Sequence, residues 1–332
     1  MKKNFRLLLL VLFINSALKA QENFKKPPYL KIGDTIAIVA PAGILKSRKG
    51  TILKAKKLAE SWGLKVVLGD YLFKQNNHFA GTDAERCKDF QAALDAKNIK
   101  AIWAARGGYG SVRILDMLDF STFKKHPKWI IGYSDITAFH NHIHNLGFES
   151  LHAMMPTSLE EDSLQIKNTI SSFKKALFGE DLQYTIKKSS FVRALNLTSI
   201  EGVLVGGNLA ILSSMLGSNG QLNTTDKILF IEEIGEYKYA IDRMLQSLKR
   251  ANYFNNCKGV IIGDMTAIKK NSTKWGSSIE QLILEAIPED VPVFFNFKAG
   301  HEAENNALIF GRKILIDIDK DRYIVKFTES VE

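Results

Sequence analysis

Trp129-Ile130-Ile131-Gly132-Tyr133-Ser134-Asp135-Ile136-Thr137 is a segment in which a short apolar strand leads through a turn into a helix. Gly132 permits a sharp turn, and Ser134 stands where the strand gives way to the helix. The backbone N–H groups of a first helical turn have no helical partner and can hold an oxyanion. The same position suits an N-cap, so the turn alone allows Ser134 to be either a nucleophile or a helix cap. Ile136 stands where a G-x-S-x-G turn has its second glycine, which argues against that common hydrolase turn.

Apolar strands and amphipathic helices alternate around this turn. The sequence predicts strands at Ile36–Ala40, Leu64–Leu68, Ile99–Ala104 and Trp129–Ile131, and helices at about 46–62, 83–96, 112–118 and 136–145. Such alternation predicts a parallel sheet with helices on both faces. Functional loops then gather at the carboxyl ends of the strands, where Ser134 and the loop 106–110 both fall.

The chain beyond residue 155 has a different composition and a weaker hydrophobic pattern. Residues 156–196 are rich in Ser, Lys and Thr, and we predict a linker segment around one helix at 164–177. Further on, the sequence predicts helices at 209–215 and 239–250 and strands at 227–231, 259–263, 291–295, 307–310, 313–318 and 323–327. We therefore predict an α/β protein with a first domain at 28–155 and a second, mixed α/β domain at 197–328.

The first twenty residues have the composition of a secretory signal peptide. Lys2, Lys3 and Arg6 precede the apolar run 7–13, and small residues lead up to Ala20. The apolar run is too short for a membrane span, although an uncleaved anchor stays the alternative. We expect cleavage after Ala20, a periplasmic protein and no stable membrane anchor in the mature chain.

The charge and the cysteines set further limits. Four positive charges of the net +10 lie in the N-terminal segment, so the mature chain is mildly basic. It has no run of five like charges and no interleaving of basic with aromatic residues, which excludes an extended nucleic-acid surface. A mildly basic exported chain suits an anionic partner such as a cell-wall polymer. Cys87 and Cys257 could form one disulfide, but their positions in sequence do not show that they meet.

A serine nucleophile needs a base, and the histidines are the candidates. His301 directly follows Gly300 after an apolar strand, a position typical of a general base on a loop. His140 and His144 are four residues apart and could bind zinc from one helical face. No His-Glu-x-x-His pattern accompanies them, so we predict no metal and no cofactor.

The orienting acid should be a carboxylate at the end of a strand. Glu232 is the first residue after the predicted strand 227–231, and Glu233 and Glu236 follow closely. The alternative for this acidic group is a solvated turn or a helix N-terminus. Glu232 is the most constrained of the three because it is the first residue past the strand.

A glycine-rich loop, Arg106-Gly107-Gly108-Tyr109-Gly110, follows the third predicted strand. Three glycines in four positions let the backbone approach a ligand closely. The G-x-G-x-x-G spacing of a dinucleotide site is absent, so an oxyanion or substrate loop is the better interpretation.

In this order, the motifs resemble those of the LD-carboxypeptidases of serine peptidase family S66, which include muramoyl-tetrapeptide carboxypeptidases and microcin C immunity peptidases. The resemblance extends from about residue 28 to residue 318. It is carried by the segments Gly33–Pro41, Ala105–Arg113, Ile131–Asp135, Gly206–Leu209, Ile231–Glu236 with Ile241–Arg243, and Gly300-His301 with Asn305.

The resemblance implies a Rossmann-like or flavodoxin-like N-terminal domain and a smaller mixed α/β C-terminal domain, with the active-site cleft between them and a homodimeric assembly. It makes Ser134 the nucleophile, Glu232 the acid and His301 the base. The oxyanion donors would be the backbone N–H groups of Asp135 and of Gly107 or Gly108, and Arg106 and Asn208 would be further substrate-binding residues. The family usually has Glu-Asp where this chain has Glu232-Glu233, which leaves the choice between these two acids open.

The implied reaction is hydrolysis of the amide between an L-configured centre and a terminal D-amino acid. In murein tetrapeptide this releases terminal D-alanine, a step of peptidoglycan turnover or recycling. Two alternatives stay open: a muropeptide-binding protein without catalysis, and a hydrolase of peptide-nucleotides or other amides on the same scaffold. The third residue of the stem peptide cannot be derived from the sequence.

Overall fold

The computed structural model describes residues 24–162 and 164–328, and the predicted signal peptide at 1–20 lies outside them. Within the described part, no helix is long and apolar enough to cross a membrane. The strands are β1 (Thr35–Val39), β2 (Lys65–Leu68), β3 (Ile99–Ala104), β4 (Trp129–Gly132), β5 (Ser150–His152), β6 (Gln183–Lys187), β7 (Ser199–Asn208), β8 (Lys227–Ile234), β9 (Gly259–Thr266), β10 (Val293–Phe294), β11 (Leu308–Phe310), β12 (Lys313–Ile318) and β13 (Arg322–Phe327).

The described helices lie between these strands, as the alternating pattern predicts. They are α1 (Lys49–Ser61), α2 (Asp83–Asp95), α3 (Ser111–Leu115), α4 (Ser121–Lys125), α5 (Thr137–Asn145), α6 (Lys167–Phe178), α7 (Leu209–Ser214), α8 (Lys238–Arg250) and α9 (Ile279–Ala286). Short 3₁₀ turns occupy Ser134–Ile136 and Pro156–Glu160. Local sequence sets several ends: Thr82 and Glu85 form a capping box that begins α2, and Gly179 ends α6 in the left-handed conformation.

The first sheet has the strand order β11-β5-β4-β3-β1-β2. Its strands β1 to β5 are parallel, and β11 joins β5 in the antiparallel direction. Side chains cover both faces: Trp103, Trp129 and Phe173 of α6 pack on one, and Phe90 of α2 and Phe139 of α5 pack on the other. Burial on both faces explains why these strands are continuous apolar runs in the sequence.

The second sheet has the strand order β10-β9-β8-β7-β12-β13-β6. Strands β7 to β10 are parallel, whereas β12, β13 and β6 run antiparallel to their neighbours. Helices α7, α8 and α9 cover one face through Leu212, Leu245 and Ile283. On the opposite face, Phe230 of β8 packs in one cluster with Phe310 of β11, so the two sheets share a hydrophobic boundary.

The mixed α/β class with two sheets is confirmed, and the structure adds detail to the predicted organisation. The second sheet has seven strands and the first has six. The segment 156–196 contains the predicted helix, now α6, and also β6, which forms an edge of the second sheet. Strand β11 comes from the C-terminal part of the chain but completes the first sheet. Each half of the chain therefore depends on an element from outside its predicted range.

The two cysteines are not paired in the structure. Cys87 lies beside the cluster around Phe90, and Cys257 lies in the cluster under α8 and α9. Burial raises the pKa of the Cys257 thiol to about 11, so this thiol is neutral and unreactive near pH 7.

Candidate active site

The turn after β4 holds Ser134 in a strained conformation. Ser134 has a φ of +62°, in the left-handed region that a non-glycine residue rarely adopts. A glycine is required at position 132, because a Cβ there would lie only 2.7 Å from Cγ1 of Ile136. A serine held at positive φ between a buried strand and a helix is the geometry by which hydrolases expose a nucleophilic hydroxyl.

The predicted glycine loop borders this hydroxyl. A Cβ built on Gly107 would lie 3.3 Å from Oγ of Ser134 and 3.4 Å from the backbone nitrogen of Asp135. Only a residue without a side chain leaves the space beside this hydroxyl open. A backbone hydrogen bond holds the loop in place, since Gly43 donates its N–H to the carbonyl of Gly107 at 3.0 Å.

His301 and Glu232 form a close hydrogen-bonded pair. Nδ1 of His301 lies 2.7 Å from Oε2 of Glu232, and the carboxylate is fully buried while the imidazole side chain is 12% exposed. Because a carboxylate accepts, Nδ1 carries the proton and Nε2 is free to take one from a hydroxyl. The ring of Tyr133, the residue before Ser134, packs edge-on against the His301 ring at 5.0 Å. The predicted base therefore contacts the residue that directly precedes the predicted nucleophile.

A β-bulge lies beside Glu232. Strand β9 contributes one extra residue between Ile262 and Met265 opposite the segment from Ile231 to Glu233 of β8. Such bulges bend a strand locally and re-aim its side chains, often next to active sites. Here the bulge brings Asp264 of β9 opposite Glu232. A Cβ built on Gly300, the residue before His301, would lie 3.0 Å from Cβ of Asp264 and 3.3 Å from Cβ of Glu232.

Glu233 has a different environment from Glu232. Its Oε1 accepts from Nδ2 of Asn208 and from the N–H of Ile234, and its Oε2 accepts from the N–H of Ala210 at 2.7 Å. Burial raises the pKa of Glu233 to about 7, against these hydrogen bonds, and the charge of Glu232 adds to the increase. Glu233 thus ties β8 to the start of α7, and the histidine is contacted by Glu232.

The charges around His301 favour its protonated form. Burial lowers the pKa of His301, but the charge and hydrogen bond of Glu232, with smaller effects of Glu233 and Asp264, outweigh it and leave the pKa raised. Asp264 is itself a buried acid, and burial raises its pKa to about 7. The site therefore stabilises an imidazolium, the species that forms when His301 takes a proton.

The remaining predicted site residues take several places. The carboxylate of Asp135 is buried and accepts from the N–H of Ser111 at 2.9 Å, which joins the serine turn to the glycine loop. Asn208 caps α7, and both of its side-chain heteroatoms bind protein groups. Arg106 is half-buried and donates to the carbonyl of Ile44 at 2.5 Å. Gly108 has a φ of +103° and is exposed at the loop surface.

His140 and His144 each contact other protein groups and do not converge on one position for a metal ion. Nε2 of His140 donates to the carbonyl of Gly132 at 2.8 Å and Nδ1 contacts the Ser150 hydroxyl at 2.9 Å, so this histidine supports the turn before Ser134. His144 stacks on Phe24. In the ranges 24–162 and 164–328, no group of three or more His, Cys, Asp or Glu side chains is arranged to hold a metal ion.

Sequence reasoning missed two side chains near His301. Asp264 follows the predicted strand 259–263 directly, the same signal that identified Glu232, so it could have been found. His152 lies in β5, fully buried against Phe230 and Phe310, with no hydrogen-bond partner for either ring nitrogen among the described residues. Its strand is only three residues long and has no clear sequence pattern.

Comparison with known proteins finds matches to one peptidase family in both halves of the chain. The LD-carboxypeptidase N-terminal domain model of Peptidase family S66 matches residues 36–153, and the corresponding C-terminal domain model matches residues 201–316. A probable murein peptide carboxypeptidase of Bacillus subtilis is 34% identical over 91% of this chain and 94% of that protein. A murein tetrapeptide carboxypeptidase of Pseudomonas aeruginosa is 26% identical over 88% of this chain and 96% of that protein.

Solved structures share the fold. The muramoyltetrapeptide carboxypeptidase of Oxalobacter formigenes superposes with a TM-score of 0.78 at 24% identity, covering 90% of this chain and all of that chain. The microcin C7 self-immunity protein MccF, solved with glutamyl sulfamoyl guanosine, superposes with a TM-score of 0.81 at 23% identity, covering 93% of this chain and 99% of that chain. With both domain models matched in order, the chain belongs to the LD-carboxypeptidase family of serine carboxypeptidases, peptidase family S66.

Proposed function

We propose that the protein is an exported LD-carboxypeptidase that releases terminal D-alanine from murein tetrapeptide during peptidoglycan turnover. The observation that carries the proposal is the His301–Glu232 pair beside a serine at positive φ. The murein carboxypeptidase names of the relatives from Bacillus subtilis and Pseudomonas aeruginosa support the substrate class. The export is supported by the signal-like composition of residues 1–20.

In the proposed reaction, Oγ of Ser134 attacks the carbonyl of the scissile amide. Nε2 of His301 takes the hydroxyl proton and returns it to the leaving amine, while Glu232 holds the ring and stabilises the imidazolium. The backbone N–H groups of Asp135 and of Gly107 or Gly108 bind the oxyanion, each contributing roughly 3–4 kcal/mol to the lowering of the barrier. Water then attacks the acyl-enzyme. His301 takes a proton from the water and returns it to Oγ of Ser134, which releases the shortened peptide.

The reaction can be tested with defined muropeptides and mass spectrometry. We expect the mature protein to convert tetrapeptide to tripeptide plus D-alanine, and the Ser134→Ala variant to lose this turnover by about 10⁴-fold or more while it keeps its fold. Turnover retained by a folded Ser134→Ala protein would contradict the triad. Binding of muropeptide without product from the wild-type protein would instead favour the non-catalytic alternative.

A peptide-nucleotide hydrolase is the second candidate. MccF has the same fold and has been solved with aminoacyl sulfamoyl nucleosides, so the fold accommodates such ligands. A competition assay that supplies tetrapeptide and an aspartyl nucleotide amide together separates the two. We expect tetrapeptide to be the better substrate by kcat/KM.

Location and assembly can be tested on the full chain. We expect the protein in the periplasmic fraction with Gln21 at its N-terminus, and a homodimer in light scattering. A full-length protein in the membrane fraction would favour the uncleaved anchor.

A further inference from the structure

Two buried acids near His301 each have one oxygen without a partner. Oε2 of Glu232 contacts Nδ1 of His301, but Oε1 of Glu232 is buried and has no hydrogen-bond partner among the described residues. Oδ2 of Asp264 is also buried and has no partner in the same part of the chain. Burying a polar atom without a hydrogen bond costs free energy, so native proteins rarely leave one unpaired. A proton shared between the two acids would satisfy both oxygens.

Gly300 brings the two acids together. A Cβ built on this glycine would lie 3.0 Å from Cβ of Asp264, 3.3 Å from Cβ of Glu232 and 3.3 Å from Oε2 of Glu232. The acids come from the neighbouring parallel strands β8 and β9, at the bulge described above. Both acids therefore lie against the same residue, the one directly before His301.

Backbone groups connect Asp264 to the loop that carries His301. The N–H of Asp264 donates to the carbonyl of Ala299 at 2.9 Å. The N–H of Glu302 acts on the Asp264 carboxylate as a hydrogen-bond donor and lowers its pKa. Oδ1 of Asn305 accepts from the N–H of the glycine that precedes the histidine, at 3.2 Å. The loop is thus held on both sides of His301, and Asp264 takes part in holding it.

Two acids at such a short separation do not both ionise readily. Glu232 is the carboxylate of the pair, because its Oε2 accepts from Nδ1 of His301 at 2.7 Å. Burial raises the pKa of Asp264 to about 7, the charge of Lys298 opposes this increase, and the charges of Glu302 and Glu232 add to it. Asp264 therefore keeps its proton in a pH range where an ordinary aspartic acid has lost it.

We propose that Asp264 is a positioning residue that keeps its proton and donates it in a hydrogen bond to Oε1 of Glu232. The carboxylate is then fixed at both oxygens, by Asp264 at one and by His301 at the other, so the imidazole keeps one orientation. A neutral Asp264 also adds no second negative charge beside His301, and that charge would raise the pKa of the base further. The role rests on the proposed function, because Asp264 acts on catalysis only through Glu232 and His301.

Two substitutions of Asp264 test the hydrogen bond. Asp264→Asn is neutral and keeps an N–H donor, so kcat/KM for tetrapeptide should stay within about 5-fold of the wild-type value. Asp264→Ala removes the donor and should lower kcat/KM by about 10- to 100-fold, the range of a hydrogen bond to a charged group. Glu302→Gln is the matched control, since it removes an exposed negative charge from the same loop and should leave turnover unchanged.

The pH profile tests the charge. If Asp264 is neutral where His301 titrates, Asp264→Asn removes no charge there, and the acidic limb of kcat/KM should stay in place. An Asp264 that is ionised in this range stabilises the imidazolium, so its replacement by Asn would move the limb to lower pH. A purely structural role of Asp264 would not distinguish these two results.

The proton can also be observed without substrate. In protein labelled with ¹³C at the aspartate carboxyl carbons, NMR follows each titration, and Asp264→Asn identifies the Asp264 signal. We expect this signal to titrate near neutral pH in the wild-type protein, far above the ordinary value of about 3.9. In Glu232→Gln it should titrate at lower pH, because the neighbouring negative charge is gone.

These measurements separate the proposal from the proposed function. If the wild-type protein cleaves no muropeptide, the proposed function fails, and the carboxyl titration still decides whether Asp264 holds the proton. If Asp264→Ala does not fold, the titration and the Asp264→Asn profile still decide. The proposal is overturned if the signal titrates near its ordinary value, if Glu232→Gln leaves it in place, if Asp264→Asn is as impaired as Asp264→Ala, or if the acidic limb of Asp264→Asn moves to lower pH.

Discussion

The carboxylate of Glu232 acts on His301 in two ways. Its hydrogen bond to Nδ1 fixes the ring so that Nε2 is the free nitrogen, and its charge opposes the effect of burial on the pKa of the imidazole. A histidine base must be neutral to accept a proton. Because the pKa of His301 is raised above its usual 6.5, activity should be present above that pKa and lost as the pH falls through it.

Changing Glu232→Gln separates the two effects. The amide oxygen or nitrogen can still contact Nδ1, but the charge is lost, so burial dominates and the pKa of His301 falls. We expect the acidic limb of the kcat/KM profile to move to lower pH while kcat falls by about 10⁴-fold, as for an acid-to-amide change in a serine protease triad.

The pH profiles of the wild-type, Glu232→Gln and Glu233→Gln proteins provide the measurement. Glu233 is the matched control, since it lies next in the chain and binds Asn208 instead of the histidine. An unchanged acidic limb in Glu232→Gln would assign that limb to Asp264, whose pKa is about 7, or to the cluster as a whole.

The choice between Glu232 and Glu233 marks the limit of sequence reasoning for single residues. Consecutive residues of a strand point to opposite faces, so one of the two acids had to face away from the histidine. Which one does so depends on the bulge in β9 and on the loop of His301, both distant in sequence. The strand-end position of Glu232 was visible in the sequence, and His301 was named as the base, but no local pattern shows which of the two acids contacts it.

Helix α2 ends on a buried lysine from another element. Nζ of Lys128 donates to the carbonyls of Ala93, Leu94 and Ala96, each at 2.8 Å, and the side chain is almost fully buried. These carbonyls belong to the last turn and the C-cap of the helix, where carbonyls have no N–H partner within the helix. The lysine, directly before β4, thus joins the helix end to the strand that leads to Ser134.

Lys128→Met should lower the free energy of unfolding by about 3 kcal/mol, because it leaves buried carbonyls without donors. The exposed Lys124→Met variant is the control and should change stability by less than about 0.5 kcal/mol. Urea unfolding followed by circular dichroism measures both. A loss below about 1 kcal/mol for Lys128→Met would mean that water replaces the ammonium.

Elements with a strong local pattern were predictable, and two strands without one were not. The strand at Ile99–Ala104 has the predicted bounds, because both of its faces are apolar. Strands β5 and β6 were not predicted: β5 has three residues, and β6 lies at a sheet edge with alternating exposure. The helix predicted at 112–118 ends at Leu115, and a separate helix α4 follows. These elements are defined by pairing with strands that are distant in sequence, and a local sequence pattern carries no information about that pairing.

A buried ion pair connects the two sheets. Arg312, in the turn between β11 and β12, donates to both oxygens of Glu149, which lies just before β5, at 3.0 and 2.5 Å. Nη1 of Arg312 also donates to the hydroxyl of Tyr29 at 2.7 Å. All the charged atoms of the pair are nearly inaccessible to water. The pair therefore fixes the position of the second sheet relative to the first.

Removing one partner should be costly for the whole molecule. We expect Glu149→Ala or Arg312→Ala alone to lower the free energy of unfolding by about 3–5 kcal/mol, because an unpaired buried charge is left behind. The double change Glu149→Met with Arg312→Met should cost much less than the sum. Thermal unfolding of the three proteins gives the coupling, and additive losses would contradict the role of the pair.

Strand β11 has a consequence for how the enzyme is made. The first sheet carries the proposed nucleophile, Ser134, yet its last strand is Leu308–Phe310, from the C-terminal part of the chain. During translation the serine turn emerges long before that strand, and the histidine that would activate it emerges at almost the same time as the strand. A ribosome-bound fragment therefore has neither a finished sheet nor a working base. We therefore expect hydrolytic activity only after residue 310 has been synthesised and this strand has joined the sheet.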